Sequence, residues 1–332
     1  MMSRDTVARG PQAWRHKGRP LFESLRQLFT GSRNEPKFVR HQALSRVYPE
    51  VLPDRQRWLH GASSRRWCTT IACTLSYLIV TVLFLRSGMS NIKAQSRPTS
   101  LSYLWELGFA NPNTVTRLAT VHADALIIAL LVNTPQVVLS TIYLLWNNLF
   151  TRMLLAVEYN DFASERKALR VSSPQGDQRS TYYLSLPYRY AVPLAATSTL
   201  LHWLASQSFY SVQIIKRNTI GQRLENWPSV VGYSPMAMIF AIGVLALAII
   251  ATIGIGLRKL KAHMPIAGTC SAAISAACHP PVGDGDAASK PVMWGEVSEA
   301  QPPDEGARGR VRYAHCSFTS KDVNLPSLVK PY

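Results

Sequence analysis

Residues 236–257 read MAMIFAIGVLALAIIATIGIGL, an apolar run of 22 residues without a charge, and Arg258, Lys259 and Lys261 follow it at once. About 20 apolar residues span the ~30 Å hydrocarbon core of a bilayer as a helix, so this run predicts a crossing whose end is anchored by cations. The 19 residues at 67–85, WCTTIACTLSYLIVTVLFL, repeat the pattern with Arg65 and Arg66 in front. Stretches 126–145 and 191–210 are also uncharged at pH 7 but carry polar side chains, with Pro135 and Pro193 inside them. Together they predict an all-α integral membrane bundle with four transmembrane helices, at 67–85, 126–145, 191–210 and 236–257.

Composition agrees. Of 332 residues 47% are hydrophobic and only 17% charged, against roughly 25% charged in soluble domains. The net charge of +17 raises nucleic acid as a partner, yet no zinc finger, RNP-like strand or basic dimerising helix accompanies it. The charge instead flanks the apolar runs. Nucleic acid is not expected as a partner; the lipid bilayer and other membrane helices or proteins are. Five cysteines, an odd number, give no disulfide framework.

Charge asymmetry sets the orientation. With four crossings, Lys and Arg number 29 on one side (1–66, 146–190, 258–332) and 7 on the other (86–125, 211–235). The positive-inside bias then predicts a multi-pass protein with both termini cytosolic. The expected organisation is a basic cytosolic segment at 1–66, a four-helix region at 67–257 with a cytosolic loop at 146–190, and a cytosolic tail at 258–332. No secretory signal is expected ahead of the first run, which acts as an internal anchor. The patch of Leu21, Phe22, Leu25, Leu28 and Phe29 reads as a short amphipathic helix, and Glu23, Glu35 and Glu50 argue against a mitochondrial presequence. Apolar residues continue past the second run through Trp146, Leu149, Phe150, Met153, Leu154 and Val157, which predicts an interfacial or protruding extension.

The candidate site lies inside the bundle. Asn133, Gln136, Ser140, Tyr143 and Asn147 recur at spacings of 3 and 4 on one side of a helix, and Ser198, His202 and Ser206 at spacings of 4 on another. Lipid cannot satisfy amides, so both stripes are expected to face protein, with His202 opposite Asn133 or Gln136. Thr70, Thr74, Tyr77 and Thr81 offer a third polar set. Ala237, Ala241, Ala248, Thr252 and Gly256 form a small-residue packing face with Leu245 between them. At 178–190, QRSTYYLSLPYRY supplies four tyrosines with Arg179 and Arg189 for the headgroup zone.

Three long strings, NTPQVVLSTIYLLWN at 133–147, LRVSSPQGDQRSTYYLSLPYRYAVPL at 169–194 and LHWLASQSFY at 201–210, resemble a family of fungal multi-pass membrane proteins of unknown function. The resemblance continues through GYSPMAMIF at 232–240, MPIAGTCSAAISAACHPP at 264–281 and HCSFTS at 315–320. Members usually carry an additional N-terminal membrane region, so the resemblance implies that this chain corresponds to their C-terminal half.

Chemistry is sparse. Cys270, Cys278, His279, His315 and Cys316 are zinc ligands by type, but their spacing lacks a finger's short knuckle. No metal or other cofactor is expected. The nucleophile-elbow, phosphate-loop and His-Glu-x-x-His patterns are missing, and His122 and Asp124, two apart, do not face each other on a helix. PPVGDGD at 280–286 and QPPDEGARG at 301–309 predict a mobile, largely disordered tail. A non-enzymatic scaffold or interaction component of a larger membrane bundle is the function expected. The alternative is a transporter or channel component built on His202, Asn133 and Gln136.

Overall fold

The computed structural model describes residues 54–112, 114–212, 215–217, 223–226, 229–267, 274–275, 277–278, 281–297 and 315–326. The N-terminal amphipathic patch falls outside them. Each uncharged run forms a helix: α1 (Ser64–Ala94), α3 (Ala125–Asp161), α4 (Tyr188–Ser208) and α5 (Pro235–Gly256), with a short α2 (Leu101–Leu107) after the first. Pro235 opens α5 at a position where its missing N–H costs nothing. Pro135 and Pro193 are carried inside α3 and α4 without ending them.

Three of these helices, α1, α3 and α5, are long and apolar enough to cross a membrane. Helix α4 has the length but not the composition, because Thr197, Ser198, Thr199, His202, Ser206 and Gln207 dilute its apolar content. The expected four spans are thus four helices, of which three meet the apolar requirement. Helix α3 is also longer than the second run: its 37 residues extend ~56 Å at 1.5 Å per residue. Asn147, Asn148 and Arg152 do not interrupt it.

The expectation of an all-α fold needs correction, because strands close both ends. At one end β1 (Arg117–Ala123), β4 (Phe209–Val212) and β7 (Ser229–Tyr233) form an antiparallel sheet in the order β1-β7-β4. Short strands β5 (Ile215–Arg217) and β6 (Arg223–Asn226) pair within the connection between β4 and β7. At the opposite, basic end β2 (Arg170–Val171) pairs with β3 (Arg179–Ser180), and β8 (Met293–Val297) pairs with β9 (His315–Thr319). Pairing between strands distant in sequence leaves no local period to read.

The four long helices pack in a ring, α1 against α3 and α5, and α4 against α3 and α5. Their shared interior contains Leu139, Ile142, Trp146, Leu149 and Met153 of α3 with Leu194 and Leu201 of α4 and Leu245 of α5. The small residues Ala237, Ala241, Thr252 and Gly256 of α5 are buried. Outward-facing Leu83, Leu130, Val137, Leu247 and Ile250 are exposed.

The described parts of the tail are folded, contrary to the mobility its Pro, Gly and Asp content predicts. Asn160, at the end of α3, donates from Nδ2 to the Ala262 carbonyl at 3.0 Å and accepts the Ala262 N–H at 2.9 Å. Lys167 and Val292 exchange two backbone bonds of 2.9 Å, and Trp294 N–H reaches the Phe162 carbonyl at 2.9 Å. Phe318 meets Tyr159 and Phe162 edge-on. Asp284, inside PPVGDGD, is 2% exposed and accepts bonds from the Thr319 and Ser320 hydroxyls and the Ser320 N–H. A carboxylate supplied with that many donors orders a segment whose composition alone favours disorder. QPPDEGARG lies outside the described residues.

Candidate functional site

The polar stripes sit beside the bundle interior. Asn133 and Ser140 are exposed on α3 and Gln136 is half-buried. Asn133 Nδ2 donates to the Ala129 carbonyl at 2.8 Å and Ser140 Oγ to that of Gln136 at 3.1 Å. Thr134 and Thr141 do the same with Leu130 and Val137. Such bonding four residues back satisfies the hydroxyl protons and one Asn133 amide proton inside the same helix, which lowers the cost of facing away from a neighbouring helix. The buried residues of α3, at 139, 142, 146, 149 and 153, keep the same 3-4 spacing on an adjacent face. Tyr143 and Asn147 border that face and are half-buried. On α4, Ser198 and His202 are half-buried, and Ser206 Oγ donates to the Trp203 carbonyl at 2.8 Å. Among the described residues no hydrogen bond joins His202 to Asn133 or Gln136.

Of the five tail residues of zinc-ligand type, only the Cys278 and Cys316 side chains are described. Among the described residues no three His, Cys, Asp or Glu side chains converge on one point; Cys270, His279 and the His315 side chain lie outside them. Burial pushes the Cys316 thiol up to about 12, with Glu296 adding to the shift, so it is a neutral thiol at physiological pH.

What sequence reasoning missed is a cavity of about 1150 Å³ at the basic end. Its walls are the turn at Trp58–Gly61 with the start of α1, the last turns of α3, the segment leading into α4, and the chain just after α5. Gly61 lets the turn approach α3: a Cβ there would lie 2.7 Å from Ala156 Cβ. Trp58 is anchored by its N–H on the Arg258 carbonyl at 2.9 Å, and Leu260 N–H reaches the Gln56 carbonyl at 2.8 Å. These bonds bring the two chain segments flanking α1 and α5 together as one wall.

Nine Lys and Arg line this space against two carboxylates, Glu158 and Asp161. The carboxylates are already engaged. Arg170 Nε lies 2.9 Å from Glu158 Oε1, with its guanidinium 3.8 Å above the Tyr182 ring. Lys167 Nζ lies 2.7 Å from Asp161 Oδ2, and Lys261 pairs with Asp161 and with Glu165 just outside. The Lys261 ammonium, followed by Lys167, holds the Glu165 carboxyl below its ordinary range. Six cations remain: Arg66, Arg152, Arg179, Arg189, Arg258 and Lys259 have no carboxylate partner among the described residues. Arg258 covers the Trp58 ring at 5.2 Å and Arg189 the Tyr190 ring at 5.5 Å.

Backbone dipoles add to this field. Helices α1 and α4 both begin at the cavity, where Ser63, Arg66, Pro187 and Arg189 line it. Neither N-terminus has a side-chain cap or an acid in its first turn. A helix N-terminus carries roughly half a positive charge and favours an acid or anion. Arginines there work against the dipole and raise the positive potential further.

A model described as Domain of unknown function (DUF8419) matches residues 1–332, taking in the helices, both ends and the cavity. The chain belongs to the DUF8419 family. No curated protein and no solved structure matches it. In this DUF8419 member, the cationic cavity is an arrangement among the described residues that can hold negative charge. Its components were visible in sequence as flanking cations and as the tyrosine-arginine string at 178–190; that six of its cations meet no carboxylate among the described residues was not.

Proposed function

We propose that this chain is a multi-pass integral membrane protein that acts without catalysis, as an interaction component of a larger membrane assembly, through its basic end. The supporting observation is the set of six cations that have no carboxylate partner among the described residues, around a cavity where α1 and α4 begin and α5 ends. In the proposed orientation both termini and this end face the cytosol, where anionic lipids and positive-inside loops coincide. The exposed apolar side chains of α1, α3 and α5 face lipid or neighbouring helices. The aromatic groups Trp58, Tyr182 and Tyr190 suit the headgroup level, where one edge of a ring is apolar and the other wet. Helix α4 lies against α3 and α5, which lets it cross with more polar side chains than a lone span tolerates.

This reading is tested by reconstituting the full chain in nanodiscs of neutral lipid and adding vesicles containing phosphatidylserine. Capture at low salt that fades toward 0.5 M salt is expected, since screening shortens the reach of exposed charge. Absence of capture at low salt contradicts the proposal.

A further inference from the structure

We infer that the basic cavity is a binding site for phosphate esters, in particular a headgroup carrying more than one phosphate. The inference rests on the interaction role proposed above and names its ligand class. Charge count is the first argument. One carboxylate offsets a single cation, whereas a phosphomonoester carries about −1.5 to −2 at pH 7, so two or more phosphates match the six cations without a carboxylate among the described residues where an acidic side chain does not.

Donor chemistry is the second argument. Five of the six are arginines, whose planar forks bind phosphate oxygens in pairs. Arg66 and Arg189 stand in the first turns of α1 and α4, so each is joined by unengaged backbone N–H groups of an uncapped helix start. Arg152 approaches from α3, within the same cavity. Three different helices thus offer donors to one space.

Position is the third. Helix ends meet at the cavity, and α3 continues beside it through Asp161. A phosphorylated lipid headgroup can reach this level from the bilayer, and a soluble phosphorylated molecule can reach it from water. Both sources present the same chemistry, and at about 1150 Å³ the space accommodates a phosphorylated ring.

The experiment uses the purified full chain in neutral detergent micelles and three probes: dioctanoyl phosphatidylinositol bisphosphate, inositol trisphosphate and dioctanoyl phosphatidylserine. Binding is measured for the wild type, for Arg66→Gln with Arg189→Gln, and for Arg86→Gln with Lys93→Gln, which removes equal charge from the far end of α1. The first pair is expected to weaken the phosphorylated probes at least ~10-fold and the second less than ~2-fold, consistent with localised charge-assisted bonds. Comparable binding of both phosphorylated probes identifies the phosphates as sufficient; binding of the lipid alone identifies a membrane source. Either result supports the site. Equal losses in the two pairs, phosphatidylserine binding as tightly as the bisphosphate, or no binding of any probe overturns it. Should the arginine pair fail to fold, hydrogen exchange on the wild type decides: protection by inositol trisphosphate at 64–65 and 188–189 is expected, and its absence there contradicts the inference. Salt-sensitive capture of anionic vesicles without phosphate selectivity would sink the site and leave the broader role standing.

Discussion

The two ends of the helix ring are finished in opposite ways. At the sheet end, polar groups find partners and side chains fill the space. Tyr233, 1% exposed, donates its hydroxyl to the Gly88 carbonyl at 3.0 Å and accepts from Asn91 Nδ2 at 3.1 Å. Around it pack Ile92, Leu104, Leu107, Val115 and Met238. Ser234 Oγ closes on the Gly108 carbonyl at 3.0 Å, and Tyr210 Oη on that of Asn111 at 2.6 Å. At the basic end the fold leaves a cavity and six cations that meet no carboxylate among the described residues. Charge kept without a partner does little for stability, and the interaction role proposed above is assigned to this end for that reason.

If that contrast holds, substitutions at the sheet end should cost stability and leave anion binding intact, while those of the cavity's carboxylate-free cations should do the reverse. Tyr233→Ala is the largest effect expected, about 3–5 kcal/mol from a lost buried aromatic side chain, read as a denaturation midpoint in detergent. Gly88→Ala comes next, because its Cβ would lie 2.6 Å from the Tyr233 ring; overpacking of this kind costs about 1–3 kcal/mol. A Gly88→Ala protein as stable as the wild type would show that the sheet end is looser than described.

Asn160→Ala sharpens the comparison from the other side. It removes both bonds to Ala262 and leaves a backbone N–H and carbonyl to find water, a loss of about 1–2 kcal/mol, with earlier proteolysis of the tail as its local signature. Tail stability should also depend on pH. Desolvation pushes the Asp284 carboxyl up, but bonds from Ser320 and Thr319, with Lys321 nearby, outweigh it and hold the group below its ordinary value. The contribution is therefore fully present above the unfolded value of ~3.9 and is lost as pH falls through the lowered folded value. Exchange rates at 315–320 across pH 2–5 would read it, and Asp284→Asn should abolish the dependence. Smallest of all is the stability change in Arg66→Gln with Arg189→Gln, within about 0.5 kcal/mol in midpoint, despite its large expected effect on binding.

The helices were legible because an uncharged run of membrane length rarely folds as anything but a membrane helix. The seam inside them was not. On α3 the amides and hydroxyls at 133, 136 and 140 and the buried apolar residues at 139, 142 and 146 share one periodicity, and sequence cannot tell which stripe faces protein. For Asn133 and Ser140, bonding to the helix's own carbonyls lowered the cost of facing outward. The sheet end escaped notice because Arg117 pairs with Gly232 and Tyr210 with Gly232 across long connections. The cavity was half legible: Arg66 and Arg258 read as cations flanking the apolar runs, and Arg179, Arg189 and the tyrosines as headgroup-zone residues. Whether each cation meets a carboxylate depends on where Glu158, Asp161 and Glu165 end up, and that is settled only by folding.

The most direct test is which face of the membrane each end occupies. Single cysteines introduced at Ser100 and Ser172, in a cysteine-free full chain, are labelled with a membrane-impermeant maleimide in sealed, right-side-out cells and again after permeabilisation. Labelling at 100 before permeabilisation in surface-exposed copies, and at 172 only after it, is the predicted result. Both positions reacting from the same side, or the reverse pattern, would contradict the account.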